Sequence, residues 1–169
     1  MMPRRDPLLA QIVIRPIEAS DAAALVAFHV GLSDDTTRFR YFSAHPHLST
    51  IEIEHFTNVD HRGREALVAL DGEDIVGVAR YERLESPTDA EVAFVVADRW
   101  QHHGIGGELL RELAARAREE GVSRLVADTL FENHAMIGLF ERSGFAQSRS
   151  NDHGVVHFVM ALPPPASTG

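Results

Sequence analysis

The chain has 169 residues, 44% hydrophobic and 24% charged, the composition of one globular domain that buries roughly 70% of its unfolded surface and leaves no room for a second. Cysteine is absent, which excludes disulfides, thiolate metal sites and an enzyme thioester intermediate. The formal charge of -9 disfavours nucleic acid and anionic membranes as partners and suits a cationic acceptor such as an amine.

From the N-terminus, residues 1–10 read as a separate segment. Met1 to Asp6 is basic but lacks the long apolar stretch of a signal peptide, and no later apolar run approaches a membrane span, so a cytoplasmic location is expected. Gln11 to Ile17 alternates apolar and polar residues and predicts a first strand, with Pro16 tolerable at a sheet edge or strand terminus. Ser20 or Asp21 is the expected cap of a helix carrying Ala24, Leu25, Phe28 and Leu32 on one face. Short helices follow around Asp35 to Phe42 and Thr50 to Phe56. Ala66 to Leu70 and Ile75 to Tyr81 flank Asp71-Gly72-Glu73-Asp74, a hairpin turn with the Asp-Gly signal.

Glu91 to Val96 then predicts a strand, and Glu108 to Glu120 a helix with Leu109, Leu110, Leu113, Ala114 and Ala117 on its apolar face and Gly121 as its stop. Arg124 to Leu130 reads as a strand, Asn133 to Arg142 as a helix and Val155 to Leu162 as a final strand. The domain therefore spans 11–162, and 163–169, beginning Pro163-Pro164-Pro165, reads as a disordered tail. All the basic residues are arginine, so an enzyme of this sequence that modified lysines could modify only its own N-terminal amine.

Chemistry concentrates where the strand at Glu91 meets the helix at Glu108. Gln101-His102-His103-Gly104-Ile105-Gly106-Gly107 is a glycine-rich turn opening a helix, where unhindered backbone N–H groups and the helix dipole favour an anion such as a pyrophosphate. It is no P-loop, since no Gly-Lys-Ser/Thr follows, and the third glycine of a dinucleotide fingerprint is replaced by Leu109. The histidine group His45-Pro46-His47, with His55 and His61 nearby, lacks the i, i+4 placement of a helical metal pair, and no metal site is expected.

Gln-x-x-Gly-x-Gly in this position resembles the cofactor motif of the GCN5-related N-acetyltransferases, the GNAT superfamily. The strand Ala90 to Val96, Asn133 at a helix start and Leu139-Phe140-Glu141-Arg142-Ser143-Gly144-Phe145 fit the same pattern. Arg38-Phe39-Arg40-Tyr41-Phe42, Phe56 to His61 and Ile75 to Tyr81 are similar, more specifically, to bacterial protein lysine acetyltransferases, which are commonly joined to regulatory modules that this chain lacks. The resemblance implies an α/β (α+β) GNAT fold, a central mixed, mostly antiparallel sheet of about seven strands with helices on both faces.

It also implies acetyl-CoA as cosubstrate and no metal. Contacts carried over are Phe94, Val95 and Val96 for pantetheine, Gln101 to Gly106 for pyrophosphate with His102, His103 and Ile105 among them, Asn133 for pantetheine and Arg142 for a nucleotide phosphate. Glu91 falls where lysine-acetylating relatives keep a catalytic glutamate, and its apolar neighbours suggest a desolvated carboxylate whose pKa is raised toward neutrality. Phe140 replaces the tyrosine that often protonates the CoA thiolate, so no general acid is assigned, and His134 reads as solvent-facing. The implied acceptor is a protein lysine, an AMP-forming acyl-CoA synthetase being a frequent one in such families. A small-molecule amine shares every cofactor residue, and a non-catalytic acyl-CoA-sensing domain would keep the glycine turn without depending on Glu91.

Overall fold

A computed structural model describes residues 6–164. A 3-10 turn over Pro7–Gln11 leads into β1 (Ile12–Pro16), and helices α1 (Ala22–Val30), α2 (Asp34–Tyr41) and α3 (Thr50–Thr57) follow. Then come β2 (Arg64–Asp71), β3 (Asp74–Arg83), β4 (Asp89–Val96), α4 (Ile105–Glu119), β5 (Arg124–Leu130), α5 (His134–Glu141), β6 (Ala146–Asp152) and β7 (Val155–Ala161). The seven strands form one mixed sheet in the order β1-β2-β3-β4-β5-β7-β6, antiparallel throughout except for β4 against β5. Pro16 lies on edge strand β1, where its missing N–H costs no ladder bond.

Most of β2 and β3 is buried on both faces, which explains why their sequences run apolar instead of alternating. Ala66, Val68, Ile75 and Val78 meet Leu25 and Phe28 of α1 on one side. Leu67, Ala69, Ala79 and Tyr81 meet Ile105, Leu109 and Leu113 of α4 on the other. Helix α4 ends as expected. Gly121 takes φ +85°, its N–H reaches Arg118 O at 3.1 Å, and Val122 N–H reaches Ala117 O at 2.9 Å, the paired bonds of a Schellman stop.

Two details differ from the sequence reading. The α1 start is a 3-10 turn, Ala19–Asp21, and the Asp21 carboxylate turns back to accept from Glu18 N–H at 2.8 Å and from both terminal nitrogens of Arg15, so neither Ser20 nor Asp21 caps α1 with its side chain. Strand β6, Ala146 to Asp152, is exposed at every residue and carries no apolar alternation, so only its pairing with β7 defines it. Of the expected tail, Pro163 and Pro164 are exposed without regular structure, and 165–169, like 1–5, lie outside the described residues.

Gly77 sets how closely α4 lies on β3. A Cβ there would stand 3.2 Å from Leu109 Cδ1 and 3.3 Å from Ile105 Cγ2. Gly77→Val should therefore lower unfolding stability by about 1–3 kcal/mol through overpacking, read as a lower denaturant midpoint with unchanged slope.

Candidate active site

The site begins where two strands part. β4 and β5 pair in parallel only from Asp89↔Arg124 to Glu91↔Val126. Beyond Glu91 the edge of β4 that carries Val92 to Val96 has no strand beside it, and a cleft of about 680 Å³ opens there. Glu91, Phe94, Val95, Val96, Gln101, His102, Gly104, Ile105, Gly106, Asn133 and Arg142 all line it, so almost every residue expected at the site is brought together. An extended arm with amide groups could add itself to the β4 edge as a further strand would.

At the far end of the cleft, the turn after Trp100 presents unused donors. No protein acceptor among the described residues takes the backbone N–H of His102, Gly104, Ile105, Gly106 or Gly107, the first helical bond there being Glu108 N–H to Gly104 O at 3.1 Å. Gly104 holds φ +90°, which an L side chain rarely adopts, and His102 is bent to φ +66°. These N–H groups and the positive end of the 15-residue α4 fit a diphosphate. A Cβ on Gly106 would meet Leu139 of α5 at 3.5 Å, so the space beside it is narrow.

Two polar latches hold this turn. Asp98 accepts from Ser33 N–H at 3.0 Å, Ser33 Oγ at 2.7 Å and Thr36 Oγ1 at 3.1 Å, pinning the start of α2 to the loop after β4. Gln101 Nε2 donates to Val96 O at 3.0 Å and to Thr36 Oγ1 at 3.3 Å, so its side chain braces the turn while its backbone enters it. Burial alone would raise the Asp98 pKa, but the Ser33 and Thr36 hydrogen bonds outweigh it and hold the carboxyl below its ordinary value. The second latch corrects the reading of His103. Its Nδ1 is 2.8 Å from Asp6 Oδ2, and Leu9 packs under Gly104, so His103 serves the N-terminal segment and is not part of the cleft wall.

Glu91 is likewise corrected in one respect. It sits on the cleft wall but is exposed, because alternation turns Val92 and Phe94 into the core and Glu91 outward. The expected desolvation is absent. Asn133 caps α5 through Oδ1, which accepts from Met136 N–H at 3.2 Å, leaving its Nδ2 as the donor that can face a ligand. Arg142 folds back over Gly138 at the end of α5. Phe140 is buried between Phe94 and Phe158, with ring centroids at 5.9 and 5.2 Å, and has no donor. His134 is exposed and stands at the cleft rim beside Phe131.

Sequence reasoning missed Asp98, Thr36 and Thr129. Thr129 is a buried hydroxyl on the cleft wall with no hydrogen-bond partner among the described residues, and a lone threonine in a strand gives no signal of that. The histidine cluster has other occupations: His45 lies 2.9 Å from Glu52, and His61 2.7 Å from the buried Glu65. No group of three or more metal-ligating side chains occurs among the described residues.

Residues 31–145 match the acetyltransferase (GNAT) family. The acetyltransferase Pat of Mycolicibacterium smegmatis is 31% identical over 154 residues, covering 89% of this chain and 46% of that protein, so the chain spans about half its length. An acetyltransferase of Pseudomonas aeruginosa is 29% identical over 152 residues, covering 86% of this chain and 82% of its own. Among solved structures, the GNAT domain of S. lividans PAT is 36% identical with a TM-score of 0.84, covering 88% of this chain and 89% of that domain. A phosphinothricin acetyltransferase of Sinorhizobium meliloti, in complex with AcCoA, shares the fold at 18% identity and a TM-score of 0.73, over 94% of this chain and 92% of its own.

Gly106→Glu adds bulk and negative charge to the N–H cradle and should weaken acetyl-CoA binding by about 10-fold or more in calorimetry while circular dichroism stays unchanged. Equal affinity in the folded variant would move the cofactor elsewhere. The Asp98 latch has its own pH signature. Because the folded pKa lies below the unfolded one, its contribution is present above about pH 4 and is lost as pH falls further. Asp98→Ala should speed hydrogen exchange of the α2 amides at pH 7 with little change in β3.

Proposed function

The chain belongs to the acetyltransferase (GNAT) family and is an acetyl-CoA-dependent N-acetyltransferase, and from that premise we propose that its acceptor is a lysine side chain of a protein, with Glu91 as general base. The observation that carries the proposal is the exposure of Glu91 on the wall of an open cleft, within reach of a side chain that extends from a folded surface. The PAT and Pat names of two similar proteins, and the resemblance of the Arg38 to Phe42 segment, support the same acceptor class.

In this reading the turn Gln101 to Gly106 holds the pyrophosphate through those of its N–H groups that have no protein acceptor, with His102 and Ile105 shaping the turn. The β4 edge at Phe94, Val95 and Val96 and the Asn133 amide hold the pantetheine arm, and Arg142 meets a phosphate of the nucleotide. Holding both reactants supplies much of the rate. A lysine amine, pKa ~10.4, must lose a proton before it attacks. Glu91 receives that proton, directly or through a water, as the nitrogen bonds to the thioester carbonyl carbon. The C–S bond then breaks and CoA departs as a thiolate, a good enough leaving group that the missing donor at Phe140 is tolerated.

Incubation with acetyl-CoA and protein acceptors, an AMP-forming acyl-CoA synthetase among them, should yield acetyl-lysine by mass spectrometry. Glu91→Gln should lower turnover by about 10²-fold at pH 7, less at high pH, with acetyl-CoA affinity nearly unchanged. Full activity in that variant would remove Glu91 from the mechanism. Transfer to free amines with none to any protein lysine would make the acceptor a small molecule.

A further inference from the structure

We propose that Arg40 and Arg80 form an anion subsite at the acceptor end of the cleft, taking a carboxylate or phosphate that the acceptor carries close to its reacting amine. The proposal rests on the placement of the acceptor amine at Glu91. Arg40, next to the last residue of α2, lines the main cleft together with Glu91. It also lines a smaller cavity of about 20 Å³ whose wall includes Arg80. Arg80 is paired in register with Ala93, on the face of the sheet that Glu91 shares, so its Cα stands diagonally ~7–8 Å from that of Glu91.

Both guanidinium groups reach the Phe56 ring, at 4.2 Å for Arg80 and 6.0 Å for Arg40, and Arg40 also lies 4.7 Å from the ring of Tyr41. Neither has a carboxylate partner among the described residues. Arg80 donates to Phe56 O at 3.3 Å, and no acceptor among the described residues is recorded for the Arg40 guanidinium. Half of the other described arginines do have one, since Arg15, Arg38, Arg111, Arg116, Arg124 and Arg149 each sit against a carboxylate. Burial, and then the neighbouring Arg40 charge, bring the Arg80 pKa down to about 9, and burial lowers Arg40 as well, although Glu91 and Glu52 near Arg40 and Glu82 near Arg80 work against the shift from a distance. Two partly desolvated like charges oppose folding unless something of opposite sign joins them.

An anion between two guanidinium forks would receive charge-assisted hydrogen bonds from both. Arg80, opposite Ala93, stands three residues, ~10 Å, along β4 from Val96, and the glycine turn lies beyond that, so the subsite is set back from the place of the cofactor's pyrophosphate. We therefore assign the anion to the acceptor. It is either an acidic side chain flanking the lysine of a protein or the carboxylate of a free amino-acid acceptor.

Inorganic phosphate, titrated at constant ionic strength into protein saturated with CoA, supplies a readout independent of acetyl transfer. Saturable shifts of the arginine side-chain signals by NMR are expected in the parent and should be lost in Arg40→Gln and in Arg80→Gln. Arg40→Gln should keep or raise the melting temperature, because it removes one of two like charges; Arg40→Lys serves as a second folded variant and should bind phosphate more weakly than the parent. Phosphate shifts that are absent in the parent, or equal in the folded variants, would overturn the subsite. In the transfer assay, kcat/KM should favour a Lys-Glu over a Lys-Gln peptide by about 10-fold or more, and Arg40→Gln should abolish that preference. If a free amino acid is instead preferred over its decarboxylated amine, and the preference is lost in Arg40→Gln, the subsite stands with a small-molecule source. No Arg40-dependent preference in either pair would count against it. Failure of all lysine transfer with phosphate binding still dependent on Arg40 would refute the acceptor reading and leave the subsite intact.

Discussion

The parting of β4 from β5 after three paired residues is the constraint on which the rest of the site depends. A parallel pair that continued would satisfy the β4 edge with β5 and close the cleft. Because the strands separate after Glu91, backbone donors and acceptors beside Val92 to Val96, apart from the Val96 carbonyl that Gln101 occupies, are left for a ligand, and the diverging strands make the cleft walls. The separation is held on one side by α4, packed tightly on β3 through Gly77, and on the other by the antiparallel pairing of β5 with β7 over its whole length.

What fixes the contents of the cleft is polar, not apolar. Helix α2 buries one residue, Thr37, and its sequence is too polar to dock by hydrophobic burial alone. Asp98 supplies the alternative by accepting three hydrogen bonds from Ser33 and Thr36, and Gln101 extends the same network to the β4 backbone. The helix that carries Arg40 toward the acceptor side is thus tied to the turn that would hold the pyrophosphate. On the opposite side Asp6 and Leu9 brace the turn through His103 and Gly104. The cradle is held from both flanks before any ligand arrives, which reduces the ordering cost of binding.

Charge is distributed with the same logic. The cleft sets an exposed carboxylate, Glu91, beside Arg40, with Arg80 in the adjoining small cavity, and neither arginine has a carboxylate partner among the described residues, while six others are paired with one. An acidic protein could readily have placed a glutamate beside Arg80. The unpaired charges stand on the wall where chemistry takes place, in keeping with the tendency of binding sites to keep interactions that the folded chain alone would not favour.

The sequence alone determined most of the fold, because the deciding signals are local. The Asp-Gly hairpin, the apolar stripe of α4, the Gly121 stop and the Gln101 to Gly106 turn each depend on residues a few positions apart, and each is found where the periodicity and turn chemistry put it. Glu91, the β4 residues, Asn133 and Arg142 were legible as a set through the family pattern, and the tertiary structure gathers them around one cleft. Strand β6 was not legible, since its fully exposed residues have no alternation and its strand character comes from β7. Local context also misdirected two residues: apolar neighbours in sequence said nothing about which face Glu91 would take, and His103 found a partner 97 positions away. Only the tertiary structure could decide these, along with the Asp98 latch and the Arg40–Arg80 pairing, because partners far apart in sequence meet only after the sheet and helices have packed.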